Sequence, residues 1–182
     1  MKTLPALSAI LVAAAGCGVF GGSDHAPLEV VPSVDLTRYA GRWYEIASIP
    51  VSQQDGCRCT VAEYTLQDDG TVRVVNTCLK GGEEERAEAT AFAVEGSNNA
   101  KLRVQFFWPF RGDYWVIDLA PDYSHAVVGT PSRKYCWILS RSPSMPAERL
   151  DSLRVFLAAR GFDAARMQVT DQACAAAGAS GR

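Results

Sequence analysis

The residues with the most reactive side chains are six cysteines and two histidines. Neither His25 nor His125 stands at metal-ligand spacing from a pair of cysteines, so the pattern argues against a metal site. No serine–histidine–acid or cysteine–histidine arrangement has support in the sequence. His125 follows Ser124 in a turn-like stretch, where a solvated imidazole is expected. We therefore expect a protein that is not an enzyme and that needs no cofactor or metal.

The start of the chain has the pattern of an export signal. A positively charged start and a short apolar stretch lead to Ala14-Ala15-Gly16, directly before Cys17. This pattern resembles the bacterial lipobox, in which the cysteine is acylated and becomes the new N-terminus. We predict a lipoprotein signal peptide over residues 1–16, a lipid-anchored linker over 17–33, and an outer-membrane location facing the periplasm. An ordinary signal peptide cleaved nearby is the alternative.

The cysteines after the predicted anchor are expected to form disulfides, because an export signal implies an oxidising compartment. There are five, an odd number, so at least one thiol is free. Cys57 and Cys59 are too close in the chain to pair easily with each other. Cys136 has no basic neighbour in sequence, which favours a buried, inert thiol.

The composition predicts one globular domain. The chain is 48% hydrophobic with a net charge of −2, which excludes disorder as its main state. Its 18 Lys and Arg residues do not exceed its 20 Asp and Glu residues, so nucleic acid is not an expected partner.

Most of the chain consists of strand-like runs separated by turn signals. Asp69-Gly70, between two alternating runs, is a strong hairpin signal. No long helical pattern separates the runs, which favours antiparallel connections. We predict an all-β fold, an eight-stranded antiparallel up-and-down barrel, with a packed two-sheet sandwich as the alternative. The runs are Trp43–Ile49, Cys59–Leu66, Thr71–Cys78, Arg86–Val94, Lys101–Trp108, Tyr114–Leu119, His125–Gly129 and Tyr135–Ser140.

One C-terminal α-helix is predicted after the strands, packed outside the barrel. Ser144 is expected to cap it, Pro146 to stand in its first turn, and Gly161 to end it. A last short strand over 167–170 and a flexible tail over 175–182 follow. The stripe that must dock on the barrel consists of Leu150, Leu153, Phe156 and Leu157.

Alternation along the predicted strands indicates the inner face of the barrel. Polar Arg86 and Glu88 place the intervening alanines on the inner side. Alanines leave space where larger side chains would fill it, so the pattern favours a cavity. The four inward alanines are Ala87, Ala89, Ala91 and Ala93.

Three short motifs at separate strands together resemble one family. Gly41-x-Trp43 stands at the start of the first strand run. Pro121-Asp122-Tyr123 lies in the turn between the sixth and seventh runs, and Arg141 ends the eighth. These motifs are similar to the three signatures of the lipocalins. The resemblance runs from about Val34 to Cys174. The sequence of this segment is similar to those of bacterial outer-membrane lipocalins and of apolipoprotein D.

The lipocalin resemblance implies a structural role for the signature residues. Trp43 is expected to close one end of the barrel, with the Arg141 guanidinium stacked on its indole. None of them is expected to contact a ligand. The signature set is Gly41, Trp43, Asp122, Tyr123 and Arg141.

The resemblance also implies a disulfide arrangement. Apolipoprotein D links its second strand to its C-terminal tail, which corresponds to Cys59 and Cys174. Many bacterial members link the second and third strands, which corresponds to Cys57 and Cys78 and leaves Cys136 free. By alternation Cys57 points outward and Cys78 inward, so their pairing needs a local irregularity. A Cys59–Cys78 pairing therefore stays open.

The predicted function is to bind, carry or store a small amphipathic ligand, a fatty acid or a lysophospholipid, for membrane maintenance or lipid transport. A lipocalin-type enzyme acting on a lipid and a structural envelope lipoprotein are the alternatives. Tyr39 is expected near the floor or wall of the cavity. The residues predicted to contact the lipid are Tyr64, Asn76, Phe106, Trp108, Val116, Trp137 and Leu139.

An aromatic loop over residues 107–110 is expected at the open mouth of the barrel. Its side chains need an apolar cover. We expect this loop to contact a membrane or a partner subunit. A homodimer is therefore one possibility. The alternative is that Trp108 and Phe110 fold over the cavity as a lid.

Overall fold

The computed structural model describes residues 25–174. The predicted signal peptide, Cys17 and the predicted tail over 175–182 lie outside these residues. The strands are β1 (Gly41–Ile49), β2 (Arg58–Leu66), β3 (Val72–Lys80), β4 (Glu83–Ala93), β5 (Lys101–Phe107), β6 (Phe110–Leu119), β7 (His125–Gly129), β8 (Cys136–Ser140) and β9 (Gln168–Val169). The helices are α1 (Leu36–Tyr39) and α2 (Ala147–Ala159), with 3₁₀ turns at Ser52–Gln54 and Ala164–Arg166.

The first eight strands form a closed ring in which each strand is antiparallel to its neighbours. Pairing follows chain order from β2 to β8, and β1 closes the ring between β8 and β2. This confirms the predicted up-and-down barrel and excludes the sandwich. We call the end that holds the β1–β2, β3–β4, β5–β6 and β7–β8 connections the mouth, and the opposite end the floor.

The C-terminal segment completes the wall between β1 and β2. These two strands pair directly only near the floor, from Gly41–Tyr64 to Tyr44–Val61. Toward the mouth, β9 pairs with β1 instead, and the Cys59 amide donates to the Asp171 carbonyl. The Gln172 side-chain amide donates to the carbonyls of Glu45 and Thr60, at 2.9 and 2.8 Å. Residues 168–172 are therefore part of the barrel wall.

Helix α2 packs on the outer face of the barrel, as predicted. Leu150, Leu153 and Leu157 are buried against the outward side chains of β1, β7 and β8. Ser144 does not cap the helix, because the N-cap residue is Pro146, which makes no side-chain capping bond. The helix ends before Gly161, whose φ of +84° few other residues adopt.

The described part of the predicted linker packs against the barrel. Leu28 is buried in the cluster beneath α2, and the Val31 amide donates to the Val116 carbonyl. The Val34 amide donates to the carbonyl of Asn98 at the floor. Residues 25–34 therefore run along the outside of the barrel from the mouth to the floor. Among the described residues, no helix has the length and apolarity that crossing a membrane requires.

Both disulfides form in the pairing that the resemblance implied. Cys57 bonds Cys78 with Cα atoms 5.6 Å apart, and Cys59 bonds Cys174 with Cα atoms 6.1 Å apart. The irregularity required for the first bond is present, because the β2–β3 register shifts between Arg58 and Val61 and Cys59 has a φ of +53°. Cys136 is free and buried.

Candidate functional site

The floor of the barrel is closed by Trp43, which is fully buried. Its indole nitrogen donates to the Tyr39 carbonyl at 2.8 Å. The Arg141 guanidinium lies 3.9 Å from the centre of the indole ring. It also donates to the carbonyls of Arg38, Ala40 and Arg42 at 2.7, 2.9 and 2.8 Å. Arg141 thus ties helix α1 and the start of β1 to the end of β8.

The other signature residues hold backbone turns at the floor. Gly41 has a φ of +90°, a conformation that favours glycine. The Asp122 carboxylate accepts from the Ser124 amide at 3.0 Å, and the Tyr123 hydroxyl accepts from the Asp35 amide at 3.0 Å. These contacts join the start of the barrel to the β6–β7 turn, and a purely structural role for the signature residues stays a prediction.

Three tyrosine hydroxyls form a polar cluster inside the lower half of the barrel. The Tyr114 hydroxyl lies 2.7 Å from that of Tyr39 and 2.9 Å from that of Tyr64. Burial raises the pKa of Tyr64 to about 12, and it raises the pKa of Tyr39 and Tyr114 well above 10. All three phenols therefore stay protonated at neutral pH. Two hydrogen bonds use two of the three protons, so the cluster has one further proton to donate.

A second polar network connects the interior to the mouth. The Trp137 indole donates to the Gln54 side-chain carbonyl at 3.2 Å, and the Gln54 amide donates to the Glu45 carboxylate at 2.9 Å. The same carboxylate accepts from Ser48 at 2.9 Å and from Thr170 at 2.7 Å. Glu45 is buried, and these donors satisfy its carboxylate. The network links the β1–β2 connection, β8 and the C-terminal segment.

The wall near the mouth carries small or polar inner side chains. Asn76 pairs with Ala62, which packs against the interior cluster, and with Ala87 on β4. Cross-strand partners share a face, so Asn76 and Ala87 lie on the inner side. Ala87 is nevertheless exposed. Solvent therefore reaches the inner face of this wall from the mouth.

A notch in the rim separates β4 from β5. Within the described residues, these two strands pair only from Thr90–Gln105 to Ala93–Leu102. The part of β4 nearer the mouth has no β5 partner among the described residues. Of the four predicted inward alanines, Ala89 and Ala91 are buried in the interior, whereas Ala87 and Ala93, nearer the two ends of the strand, are exposed.

Four of the predicted lipid-contact residues lie in or against the interior cluster, and Asn76 lies on the inner face above it. Tyr64, Val116 and Leu139 are buried there, and Trp137 packs against them. Their contact with a ligand stays a prediction.

Phe106 and Trp108, both predicted to contact the lipid, lie outside the buried interior; Trp108 stands at the mouth, where its loop was predicted, whereas Phe106 was expected inside the barrel. The β5–β6 register shifts between Val104 and Phe107, which breaks the alternation that placed Phe106 inside. Phe106 is 48% exposed and Trp108 is 82% exposed. The predicted loop over 107–110 is a tight turn at Trp108-Pro109, because β6 begins at Phe110. Trp108 and Phe110 therefore do not fold over the cavity as a lid.

His125 is not solvated as predicted. Its side chain is only 14% exposed, and its Nε2 lies 3.5 Å from the Asp118 carboxylate. Both residues line a cleft of about 620 Å³ on the outer face near the floor, between the β6–β7 turn and the start of α2. The signal that sequence reasoning missed is the alternation in β7, which places His125 on the outer face with Val127, whose β6 partner is Asp118.

The described residues offer little reactive chemistry in or near the barrel interior. Cys136 belongs to the outer cluster beneath helix α2, and burial raises its thiol pKa to about 11. A group of potential metal ligands within the described range, Cys57, Cys78 and Glu85, has both cysteines in a disulfide. It therefore supplies no thiolate to a metal.

Three residues of the site were not predicted. Tyr114 stands two positions before inward Val116, so alternation alone indicates its direction. Glu45 stands two positions after Trp43 and follows the same rule. Gln54 lies in the β1–β2 connection, where no periodic pattern indicates its direction.

The fold and the site define a class of protein: a single antiparallel barrel, closed at its floor, with an interior that opens at one end. Residues 34–172 match the family model of the lipocalin-like domain. The chain belongs to this lipocalin family.

Curated relatives agree with this assignment. The chain is 40% identical over 154 residues to temperature-induced lipocalin-1 of Arabidopsis thaliana, covering 80% of this chain and 83% of that protein. It is 34% identical over 168 residues to the outer membrane lipoprotein Blc of Escherichia coli, covering 91% and 95%. It is 35% identical over 181 residues to apolipoprotein D of Macaca fascicularis, covering 90% and 94%.

A solved structure shows the same fold. Insecticyanin from the tobacco hornworm Manduca sexta superposes with a TM-score of 0.64 at 24% identity, over 81% of this chain and 85% of that one. At this identity the likeness concerns the fold alone.

Proposed function

We propose that this chain is a lipocalin anchored in the outer membrane through an acylated Cys17, and that it holds a fatty acid or a lysophospholipid in its barrel. The observation that carries the proposal is the inner face at the exposed Ala87 and the half-buried Asn76, above an apolar interior. An acyl chain suits that interior, because burying apolar surface is favourable.

The tyrosine cluster supports an amphipathic ligand rather than a purely apolar one. The remaining phenol proton can be donated to a carbonyl, carboxylate or phosphate oxygen that enters the barrel. Burial keeps the phenols neutral, as the pKa of about 12 for Tyr64 indicates, so they do not repel an anionic head group.

The relatives named outer membrane lipoprotein Blc support the anchor and the location. The lipobox-like stretch before Cys17 supports acylation at that residue. The predicted export signal supports a periplasmic orientation, because an exported chain emerges on that side of the inner membrane.

Catalysis is disfavoured by the position of Cys136. Its thiol lies outside the barrel interior and its pKa of about 11 keeps it protonated at neutral pH. We therefore propose binding and carriage rather than turnover of the lipid.

Native mass spectrometry of the protein purified from membranes tests both parts of the proposal. We expect an N-terminus at Cys17 that carries acyl chains, and a separate, non-covalent acyl lipid released by extraction. An N-terminus elsewhere without acyl mass contradicts the anchor. A lipid-free protein contradicts the carrier function, and conversion of an added lipid that is lost in Cys136→Ser supports the enzyme instead.

A matched pair of variants tests the binding site. Ala87→Phe places a ring on the inner face near the mouth, whereas Arg86→Phe places it on the outer face of the same strand. Both positions are exposed, so we expect both variants to fold. We expect Ala87→Phe to lower the amount of co-purified lipid roughly tenfold, since the ring occupies the ligand's space, and Arg86→Phe to leave it unchanged. An equal amount of lipid in both variants contradicts the site.

A further inference from the structure

The turn between β5 and β6 exposes an aromatic surface at the mouth. Phe107 and Phe110 are each 67% exposed and Trp108 is 82% exposed. The Phe107 and Phe110 rings contact each other with centroids 5.6 Å apart, so these side chains form one patch. We call it the aromatic tip: Phe106, Phe107, Trp108 and Phe110. A patch of this kind on a folded domain indicates a surface that something apolar covers.

The described chain begins at the same end of the barrel. The Ala26 carbonyl accepts a hydrogen bond from the Arg133 guanidinium, and Arg133 lies in the connection between β7 and β8. In an up-and-down barrel this connection stands at the same end as the β5–β6 turn. The residue from which the chain leads back toward Cys17 is therefore at the mouth.

The length of the intervening chain limits where an anchor can hold the barrel. Cys17 precedes His25 by eight residues, which span about 28 Å at most when fully extended. A nine-residue strand such as β2, tilted by about 40°, rises about 23 Å along the barrel axis. If the floor lay on the membrane, the chain between Cys17 and His25 would need almost its whole extended length to pass along the barrel. If the mouth lies on the membrane, the chain does not have to pass along the barrel at all.

The floor has the opposite chemistry. Its turns expose Asp68, Asp69 and Asp122. Hydrogen bonds from Thr71 and Ser124 lower the pKa of Asp69 and Asp122, so both carboxylates stay ionised near neutral pH. Ionised carboxylates are costly to bring into the apolar part of a membrane. The two ends of the barrel therefore differ: the exposed large aromatic side chains of the described residues lie at the mouth, whereas the floor combines these carboxylates with a single partly exposed leucine, Leu66.

We propose that the aromatic tip inserts into the interface of the lipid bilayer that carries the acyl anchor, so that the barrel sits with its mouth against the membrane. This inference rests on the proposed acylation of Cys17. Aromatic side chains favour the interfacial region of a bilayer, where apolar ring and polar edge are both accommodated. The notch between β4 and β5 lies beside the tip, so a lipid leaving the bilayer there enters the barrel without crossing bulk water.

Electrostatic attraction does not drive this docking. Exposed charges of both signs surround the tip: Glu83, Glu84 and Glu85 lie in the β3–β4 turn, and Arg86, Arg111 and Lys134 lie at the same end of the barrel. We therefore expect docking on zwitterionic phosphatidylcholine vesicles to be insensitive to salt and to change little when anionic lipid is added.

Tryptophan quenching by brominated phosphatidylcholine tests the orientation. The full acylated protein is reconstituted into vesicles, its acylation having been checked by mass. Trp108→Phe removes the reporter in the tip, and Trp108→Phe combined with Leu66→Trp moves a reporter to the floor end of β2. We expect the emission that the lipid quenches to fall at least threefold in Trp108→Phe, because the other three tryptophans are buried or half-buried. We expect it to stay equally low when Leu66→Trp is added, because that tryptophan lies at the floor.

Each other outcome overturns the proposal. Equal quenching of the two reporters means that the barrel lies on its side, and stronger quenching at Leu66→Trp means that the floor faces the membrane. Absence of Trp108 quenching in an acylated protein means that the tip does not insert. Because acylation is read from the mass, failure of the anchor is distinguished from failure of docking.

A combined variant supplies a second measurement. Phe107→Ser with Trp108→Ser and Phe110→Ser changes only exposed side chains, so we expect its thermal unfolding to match wild type. We expect the protein without acyl chains to lose roughly tenfold in vesicle binding with these changes, and Val155→Ser, an equally exposed site on α2, to lose none. A wild-type dimer in detergent that becomes a monomer in this variant, without vesicle quenching, assigns the tip to a second copy and overturns the proposal.

Discussion

Arg141 connects three parts of the floor through a single side chain. Its guanidinium donates to several backbone carbonyls and covers the Trp43 ring. Lysine has one point charge and cannot reproduce these planar contacts. We expect Arg141→Lys to lower the free energy of unfolding by about 2–3 kcal/mol, measured by urea denaturation. Arg42→Lys, at an exposed ion pair with Glu63 at 3.9 Å, is the control and should change it by less than about 0.5 kcal/mol. Equal losses would contradict this account.

The tyrosine cluster makes the fold sensitive to base. Burial raises the pKa of Tyr64 in the folded protein to about 12, whereas the unfolded chain loses this proton near pH 10. Stability from this group is therefore complete below about pH 10 and is lost as the pH rises toward 12. We expect Tyr64→Phe to reduce the loss of unfolding free energy between about pH 8 and about pH 11 by about 1 kcal/mol. Urea denaturation at both pH values checks this, and identical losses would refute it.

At the level of single residues, alternation predicted the direction of a side chain wherever the pairing is regular. Tyr64 and Leu139 lie inside because β2 and β8 have no extra residue at these positions, and Val116 lies inside just before the register shift of β6. Phe106 does not, because the register shift beside it is a property of the strand pair and not of its own sequence. Gln54 comes from a connection, and tertiary contacts alone determine that it reaches Glu45 and Trp137.

Helix α2 protects the thiol of Cys136. Leu153 and Cys136 belong to the same buried cluster. We expect Leu153→Ala to lower the free energy of unfolding by about 2–4 kcal/mol, since it leaves a cavity. It should also increase the rate at which iodoacetamide alkylates Cys136, because the helix opens more often. Val155→Ala, at a position 70% exposed, is the control and should leave both quantities near wild type. An unchanged alkylation rate in Leu153→Ala would show that another element controls access.

At the level of elements, the sequence predicted all eight barrel strands, since each has its own alternation and its own turn signals. Strand ends were less predictable. β4 and β6 both begin nearer the mouth than expected, at Glu83 and Phe110, because pairing with the preceding strand continues almost to the turn. The role of residues 168–172 in the wall depends on a gap between β1 and β2 that neither strand reveals by itself.

At the level of the whole molecule, the Cys59–Cys174 disulfide joins residues 115 positions apart, whereas Cys57–Cys78 spans 21. Closing a longer loop restricts the unfolded chain more. We expect Cys59→Ser with Cys174→Ser to cost about 1–2 kcal/mol more than Cys57→Ser with Cys78→Ser, measured by urea denaturation.

Hydrogen exchange localises the effect of that disulfide. We expect faster exchange at the amides of residue 59 and Thr170, which donate to Asp171 and Ile46, in the first pair of variants only. The amides of β5 to β7 should keep their wild-type rates in both. Uniform acceleration across the barrel would mean that the C-terminal segment stabilises the protein as a whole and not the wall between β1 and β2.

The position of residues 168–174 in the wall also affects how the protein is made. These residues are translated and exported after β1 to β8. The halves of β1 and β2 nearer the mouth nevertheless depend on them to close the wall between the two strands. Until they arrive, two strand edges stay available for pairing with other chains. We expect nascent or prematurely terminated chains to associate with one another, and completion of the barrel to wait until translocation has ended.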